Sequence, residues 1–533
     1  MEGKGHDEEK GLPIPSVSSH AHTTPSSPQT TIVGSAEHSS EDLTHVTLAN
    51  ATVVSFEPGD PTNPHNWSTL KKTLIVLTCA LICTNSSLGS ALAANITPFM
   101  HSFHVPLGPQ TILPTSVYLG GFMCGPLMFA PLSEHYGRYP ILVIGFTLFT
   151  LSTLGTALAP NWPAFLVFRF LTGVFGAPPI SVGGGVIADM FSEEILRGRI
   201  MMLWGASTFM GPLGAPVITG FTAGTIGWRW PFWIGFILAG VSFISVVLLP
   251  ETLAFKILRR KAENLNKQSS TDETFISPGD INRGSLAQTM KITLSRPMRL
   301  LFSEMLLGLS CVYMAFAYAV FYMMLKIFAH IFTGVYNFSL GFSGLAFTTI
   351  GLGTISACVA NIWYDNIAPR IAAKHPERRP EYLRLPPACV AGPMLVVSLF
   401  WLGWTSRASV HWIVPLLSMI PYGFGYQMIF NSILNYITDA YQIYAASALA
   451  ACGTTRSLAG VLIPLCVDNM LHSLGIAWSC TVLGFISAVL TIVPFLFVAY
   501  GEKIRGRSRF SSTMKPPELS PPVGELTRVI SAT

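Results

Sequence analysis

The chain has 533 residues, of which 50% are hydrophobic and 11% charged, against about 25% charged in ordinary soluble domains. A mean hydropathy of +0.49 over this length excludes a cytosolic enzyme and a disordered scaffold, and leaves an integral membrane protein. The net charge is +5, and nine cysteines at no regular spacing give no disulfide framework; Cys79, Cys83, Cys124, Cys311 and Cys358 sit in apolar stretches as small packing residues.

Residues 1–72 are polar and rich in Ser, Thr, His and Pro, with Glu8, Glu9, Glu37, Glu41 and Asp42 among them. Nothing there can build a core, so the segment reads as a disordered tail. No basic, apolar, small-residue pattern opens it, and no cleaved signal peptide is expected. Apolar runs of spanning length follow at 73–94, 110–130, 140–159, 164–188, 200–222 and 230–249. A charged stretch, 250–299, interrupts them. They resume at 300–325, 340–362, 387–405, 411–434, 446–468 and 475–499, before a polar tail at 500–533. The runs are continuously apolar rather than alternating, which predicts helices and not barrel strands.

Orientation follows from the basic residues. With the first tail inside, every one of the 32 Lys and Arg residues falls in a tail or a cytoplasmic loop except Arg169, Arg229, Lys326, Arg407 and Arg456. Both ends are therefore expected in the cytoplasm. Six spans on each side of a charged loop predict two six-helix halves, 73–249 and 300–499, around a midplane cavity. The loop after span 2 carries Glu134 and Arg138, and the loop after span 8 carries Asp365 and Arg370; the repeated acid-then-Arg pattern supports duplication.

Gly125-Pro126-Leu127 with Pro131-Leu132-Ser133-Glu134-His135-Tyr136-Gly137-Arg138 resembles the loop 2–3 signature of the major facilitator superfamily, with Glu134, His135 and Tyr139 departing from its usual residues. Arg169-Phe170-Leu171-Thr172-Gly173 in span 4 resembles the superfamily's Arg motif. Gly211-Pro212-Leu213-Gly214-Ala215-Pro216 in span 5 resembles the Gly-Pro motif of its antiporter branch. Ala188-Asp189-Met190-Phe191, Trp228-Arg229-Trp230-Pro231, Pro250-Glu251-Thr252, Arg384-Leu385-Pro386, Trp401-Leu402-Gly403-Trp404, His411-Trp412, Asn435-Tyr436-Ile437-Thr438-Asp439, Ser447-Ala448 and Arg456-Ser457 are similar to fungal twelve-span drug:proton antiporters. The resemblance covers about 65–505. It implies an all-α membrane protein of twelve helices in two pseudo-symmetric bundles, which works by alternating access.

Proton coupling needs a group whose ionisation differs between facing states, and buried carboxylates serve because desolvation raises their pKa. Within the spans the clearest acid is Glu304, the candidate proton site; an interfacial pairing with Arg296 or Arg299 is its bland alternative. Asp189 and Asp439, where spans 4 and 10 reach the cytoplasm, are expected gate partners. With them as gating or conformational candidates stand Glu134, Arg138, Asp365, Arg370, Arg456, Gly211, Pro212, Gly214 and Pro216. The family's cavity is lined by spans 1, 4, 7 and 10. Candidate substrate contacts are then Asn85, Arg169, Tyr318, Tyr322, Gln427 and Asn431; Gln427, Asn431 and Asn435 share one helical face. Arg169 hints at an anionic solute, since a guanidinium inside a span is costly unless it is paired. Asn337 and Asn95 fit glycosylation triplets near outer loops.

No Gly-rich phosphate loop, metal-ligand spacing or nucleic-acid patch is found. The expectation is a monomeric carrier in the bilayer with no cofactor, driven by the proton gradient, whose partners are protons and a small molecule. It would export drugs, toxins or a secondary metabolite from the plasma membrane, with the vacuolar membrane as the other compartment. A polyamine or nutrient carrier ranks lower, because polyamines want several cavity carboxylates. A multispan membrane enzyme would need a His or Asp/His constellation that the sequence lacks, and a transporter-like sensor is the remaining alternative.

Overall fold

A computed structural model describes residues 51–94, 103, 109–268, 274–278, 286–374, 380–441 and 444–506. Asn95 and most of both tails lie outside the described residues. In chain order the first elements are β1 (Ala51–Val53), α1 (Thr69–Ala91), α2 (Leu113–Tyr136), α3 (Arg138–Leu158), α4 (Trp162–Phe175), α5 (Pro178–Met190), α6 (Glu194–Thr222) and α7 (Trp230–Val247). Next come α8 (Ala254–Gln268), β2 (Thr274–Ile276) and α9 (Leu286–Ser303). The chain continues with α10 (Met305–His330), α11 (Leu340–Ala346), α12 (Thr348–Lys374), α13 (Pro386–Thr405), α14 (Ile413–Leu417), α15 (Met419–Tyr441), α16 (Ala445–Leu462) and α17 (Val467–Gly506).

Eleven stretches of the described residues are long and apolar enough to cross a membrane. The last runs Ala445–Gly501, more than twice the length one crossing needs, and breaks at Gly475, whose φ of 70° and ψ of 177° leave the helical region. Two crossings run together there, so the twelve expected from the apolar runs are present. Helix starts follow local chemistry. Ser68 accepts from Lys71 N–H at 3.4 Å, and Asn161 accepts from Ala164 N–H at 3.0 Å, each satisfying a donor that has no intrahelical partner.

Each span shows one face to the interior and one outward. On α1, Leu74, Leu77 and Leu81 are exposed while Ile75, Cys79, Ile82 and Cys83 are buried. The share of buried residues is 72% in the apolar window of Met305–Val335 and 33% in that of Trp230–Val247, so α10 runs through the centre and α7 lies on the periphery. Among the first six spans α1 packs on α6, α2 on α4, and α3 on α4 and α7. Among the last six, α13 and α15 pack together, α12 on α15, α13 on α17 and α10 on α16. The two sets meet where α11 and α12 pack on α6 and α16 packs on α2.

Small residues make the closest of these approaches. A Cβ on Gly211 would collide with Thr84 O, Ser87 Oγ and Leu88 N of α1, and one on Gly344 would collide with Pro216 O of α6. The Gly211, Pro212, Gly214 and Pro216 segment thus lies between α1 on one side and α11 on the other.

Residues 51–68, which composition places in the tail, are ordered against the central loop. β1 pairs in parallel with β2, Lys261 holds Asp60 at 2.9 Å, and Val54, Leu258 and Ala262 form a small core. Three apolar contacts and a short ladder suffice here because α8 already presents a half-apolar face. We call the side on which α1 begins the near face and the other side the far face.

Candidate functional site

Between the two sets of spans lies a narrow cavity. Its first-half lining is Ser87 and Ser90 of α1, Leu119 and Phe122 of α2, and Thr208, Phe209 and Pro212 of α6. Its second-half lining is Tyr318, Phe321 and Tyr322 of α10 with Arg456 of α16. Spans 1 and 7 therefore contribute as expected, but spans 2, 5 and 11 take the places anticipated for 4 and 10. Span 10 supplies a second layer, in which Tyr426 and Phe430 meet Phe209 edge to face at 4.7 and 5.5 Å between ring centroids.

The hydroxyls form a directed chain. Ser90 donates to Ser87 O at 2.7 Å, so Tyr322 must donate in its 2.9 Å contact with Ser90, and Tyr318 donates to Tyr322 at 3.4 Å. This chain links α10 to α1 across the cavity. The Arg456 guanidinium lies 4.9 Å from the Tyr318 ring and 5.6 Å from the Phe430 ring. Its Nε is buried and has no hydrogen-bond partner among the described residues.

The remaining substrate candidates sit elsewhere. Arg169 is 1% exposed and donates to Gly89 O at 2.7 Å, Ser90 O at 3.1 Å and Pro114 O at 3.2 Å. Gly89 and Ser90 lie in the last turn of α1, whose carbonyls have no intrahelical acceptor role, so Arg169 caps that helix at its negative end. Asn85 donates to Ser242 Oγ at 3.2 Å and shares a separate, smaller cavity with Arg169 inside the first six spans. Gln427 is 2% exposed and its Oε1 has no partner among the described residues, and Asn431 is half-buried; neither lines the central cavity.

Ionic contacts flank the cavity on both faces. On the near face Arg138 pairs with Asp189 at 3.3 Å, and its backbone N–H donates to Glu251 at 2.9 Å. The corresponding pair in the last six spans is Arg384 with Asp439 at 3.1 Å, extended through Asp365 at 3.9 Å to Arg199 of α6, also at 3.9 Å. Arg199 donates to Asn366 at 2.6 Å as well, which bridges the two sets of spans. Arg370, which the sequence pattern sets one turn after Asp365, is exposed, as is Glu134; Arg384 reaches Asp365 instead, and Glu251 accepts from the Arg138 backbone N–H while the Arg138 side chain pairs with Asp189. Gly137 (φ 106°) lets α2 turn into α3 there, and a Cβ would collide with Glu251.

On the far face Lys326 of α10 forms an ion pair with Asp468 and donates to Thr111 Oγ1 at 2.8 Å, while Thr111 donates to Asp468 at 3.2 Å. Ser116 of α2 donates to Val461 O at 3.0 Å. The sequence reading set Lys326 aside as an exception to the charge rule, and only the fold brings it to Asp468. Glu304 is 2% exposed at the break between α9 and α10, and accepts from Tyr441 at 3.4 Å. Asn337, exposed with φ 54°, lies in the turn before α11. Among the described residues no group of three or more His, Cys, Asp and Glu side chains could hold a metal.

Residues 75–464 match the sequence model of the Major Facilitator Superfamily, and the chain belongs to it. It is 37% identical over 463 residues to the major facilitator superfamily multidrug transporter mdrA of Aspergillus fumigatus, across 86% of this chain and 76% of the relative. It is 36% identical to the efflux pump radE of Floropilus chiversii, across 85% of this chain and 84% of that one. Its fold is similar to the partially occluded, inward-open xylose transporter XylE of E. coli, with TM-score 0.57 at 16% identity over 81% of this chain and 98% of that chain.

Proposed function

We propose that the chain is a proton-driven antiporter that exports small organic molecules by alternating access. The observation that carries this reading is the cavity's position: it lies between two six-span sets, 73–249 and 300–499, with an ionic bridge between the sets on the near face and, on the far face, Thr111 of the first set hydrogen-bonded to the Lys326–Asp468 pair of the second. A carrier must open one face at a time, and breakable charge pairs are the contacts suited to alternate. The far-face cluster of Lys326, Asp468 and Thr111 and the near-face cluster of Arg199, Asp365, Arg384 and Asp439 are the gates in this account. Arg138 and Asp189 brace the first half of the near gate.

The relatives named as multidrug transporters and efflux pumps support export rather than uptake. We assign Glu304 as the coupling carboxylate and the plasma membrane as the site of action, with the near face and both termini in the cytoplasm. The protein works as a monomer without a cofactor, and Asn337 is an outer glycosylation site. A polyamine carrier fits the cavity poorly, because its lining holds a cation and no carboxylate.

Transporter-depleted yeast expressing the chain and loaded with Nile red, rhodamine 6G or fluorescein tests this reading. Efflux of at least one dye that stops on adding a protonophore is the expected result. Surface-expressed protein that moves none of them in a protonophore-sensitive way would count against it.

A further inference from the structure

The two arginines inside the spans are treated oppositely by the fold. Arg169 spends its donors on three backbone carbonyls. Arg456, half-buried, faces the rings of Tyr318 and Phe430, and its buried Nε has no partner among the described residues. An arginine stays charged under all ordinary conditions and offers five N–H donors in a planar fork. Holding that fork in a span without a counter-charge is costly. No Asp or Glu lines the cavity to offset it.

We infer that Arg456 is an anion-binding subsite, and that the transported class is compact amphiphiles carrying one carboxylate on a flat apolar body. This deepens the export reading and rests on it. The fork matches the two oxygens of a carboxylate. Phe122, Phe209 and Phe321 give the apolar body ring faces to lie against. Cationic solutes meet an unscreened like charge beside Tyr318 and are disfavoured.

The test uses the purified full-length chain in detergent and two probes of one shape, 1-naphthoate and its neutral amide, 1-naphthamide, with affinity read by calorimetry. Wild type is expected to bind the carboxylate at least tenfold more tightly. Arg456→Gln should bring naphthoate down to the naphthamide level and leave naphthamide within about twofold, while Arg456→Lys retains part of the preference. Equal affinities in wild type overturn the inference, as does a preference that survives in a folded Arg456→Gln protein. The wild-type comparison decides even where the variant fails to fold. If Nile red still leaves yeast in a protonophore-sensitive way while naphthoate shows no preference, the substrate class falls and export stands. If naphthoate is preferred but no dye moves, the export reading fails and the subsite stands.

Discussion

Arg169 was legible as important from the sequence alone, because a guanidinium in the apolar run around it demands partners. Its role was not legible, because the acceptors belong to the end of α1 and the start of α2, 55 to 80 residues away. Arg169→Gln should strand the carbonyls of Gly89 and Ser90 at about 1–3 kcal/mol for each buried group left unsatisfied. The expected outcome is a markedly lower melting temperature in detergent, and an unchanged melting temperature would contradict the capping role. Glu304 behaves differently. Its carboxylate is held at a helix break by Tyr441, so the isosteric Glu304→Gln keeps the packing and removes only the ionisation. It should fold and bind probe normally yet lose protonophore-sensitive efflux; retained proton-driven efflux would remove Glu304 from the coupling role.

The spans could be read from the sequence because apolarity over about 20 residues is a property of each element by itself. The motif acids and bases at the ends of α2, α5 and α15 were legible for the same reason. What joins elements was not. Arg384 meets Asp439 and Asp365, the acid that sequence spacing sets beside Arg370, and Lys326 meets Asp468, because helix packing and not sequence spacing decides which charges face each other. The segment before α1 was likewise misjudged by composition, since its order comes from β2 and α8, two hundred residues further on. That clasp carries its own prediction. The hydroxyl and backbone N–H of Thr62 bond to Asp60, and with Lys261 they hold its carboxyl down to about 2. A depressed carboxyl contributes stability that is present above the unfolded value of about 3.9 and is lost as pH falls through the folded one. Protease resistance of residues 51–68 should therefore be flat from pH 5 to pH 8 and should drop in Asp60→Asn; a pH-dependent wild type in that window would contradict the assignment.

At the scale of the whole molecule, the two six-span sets meet through small residues on α6 and α11, an aromatic cavity at the centre, a charge pair on the near face and, on the far face, hydrogen bonds from Thr111 to the Lys326–Asp468 pair. These contacts differ in kind, and in the proposed cycle that difference would let one interface serve as pivot, site and gates. The pivot must be tight and permanent, which suits glycine against backbone, while the gates must break and re-form, which suits half-exposed ions. The central claim is that a proton gradient drives solute across this interface. Proteoliposomes holding the purified chain and internal fluorescein, placed under an imposed pH gradient and then its reverse, test it most directly. The account predicts dye movement opposite to the proton flow, reversing when the gradient is reversed and abolished in Glu304→Gln. Movement in the same direction as protons, or a rate independent of the gradient, would contradict it.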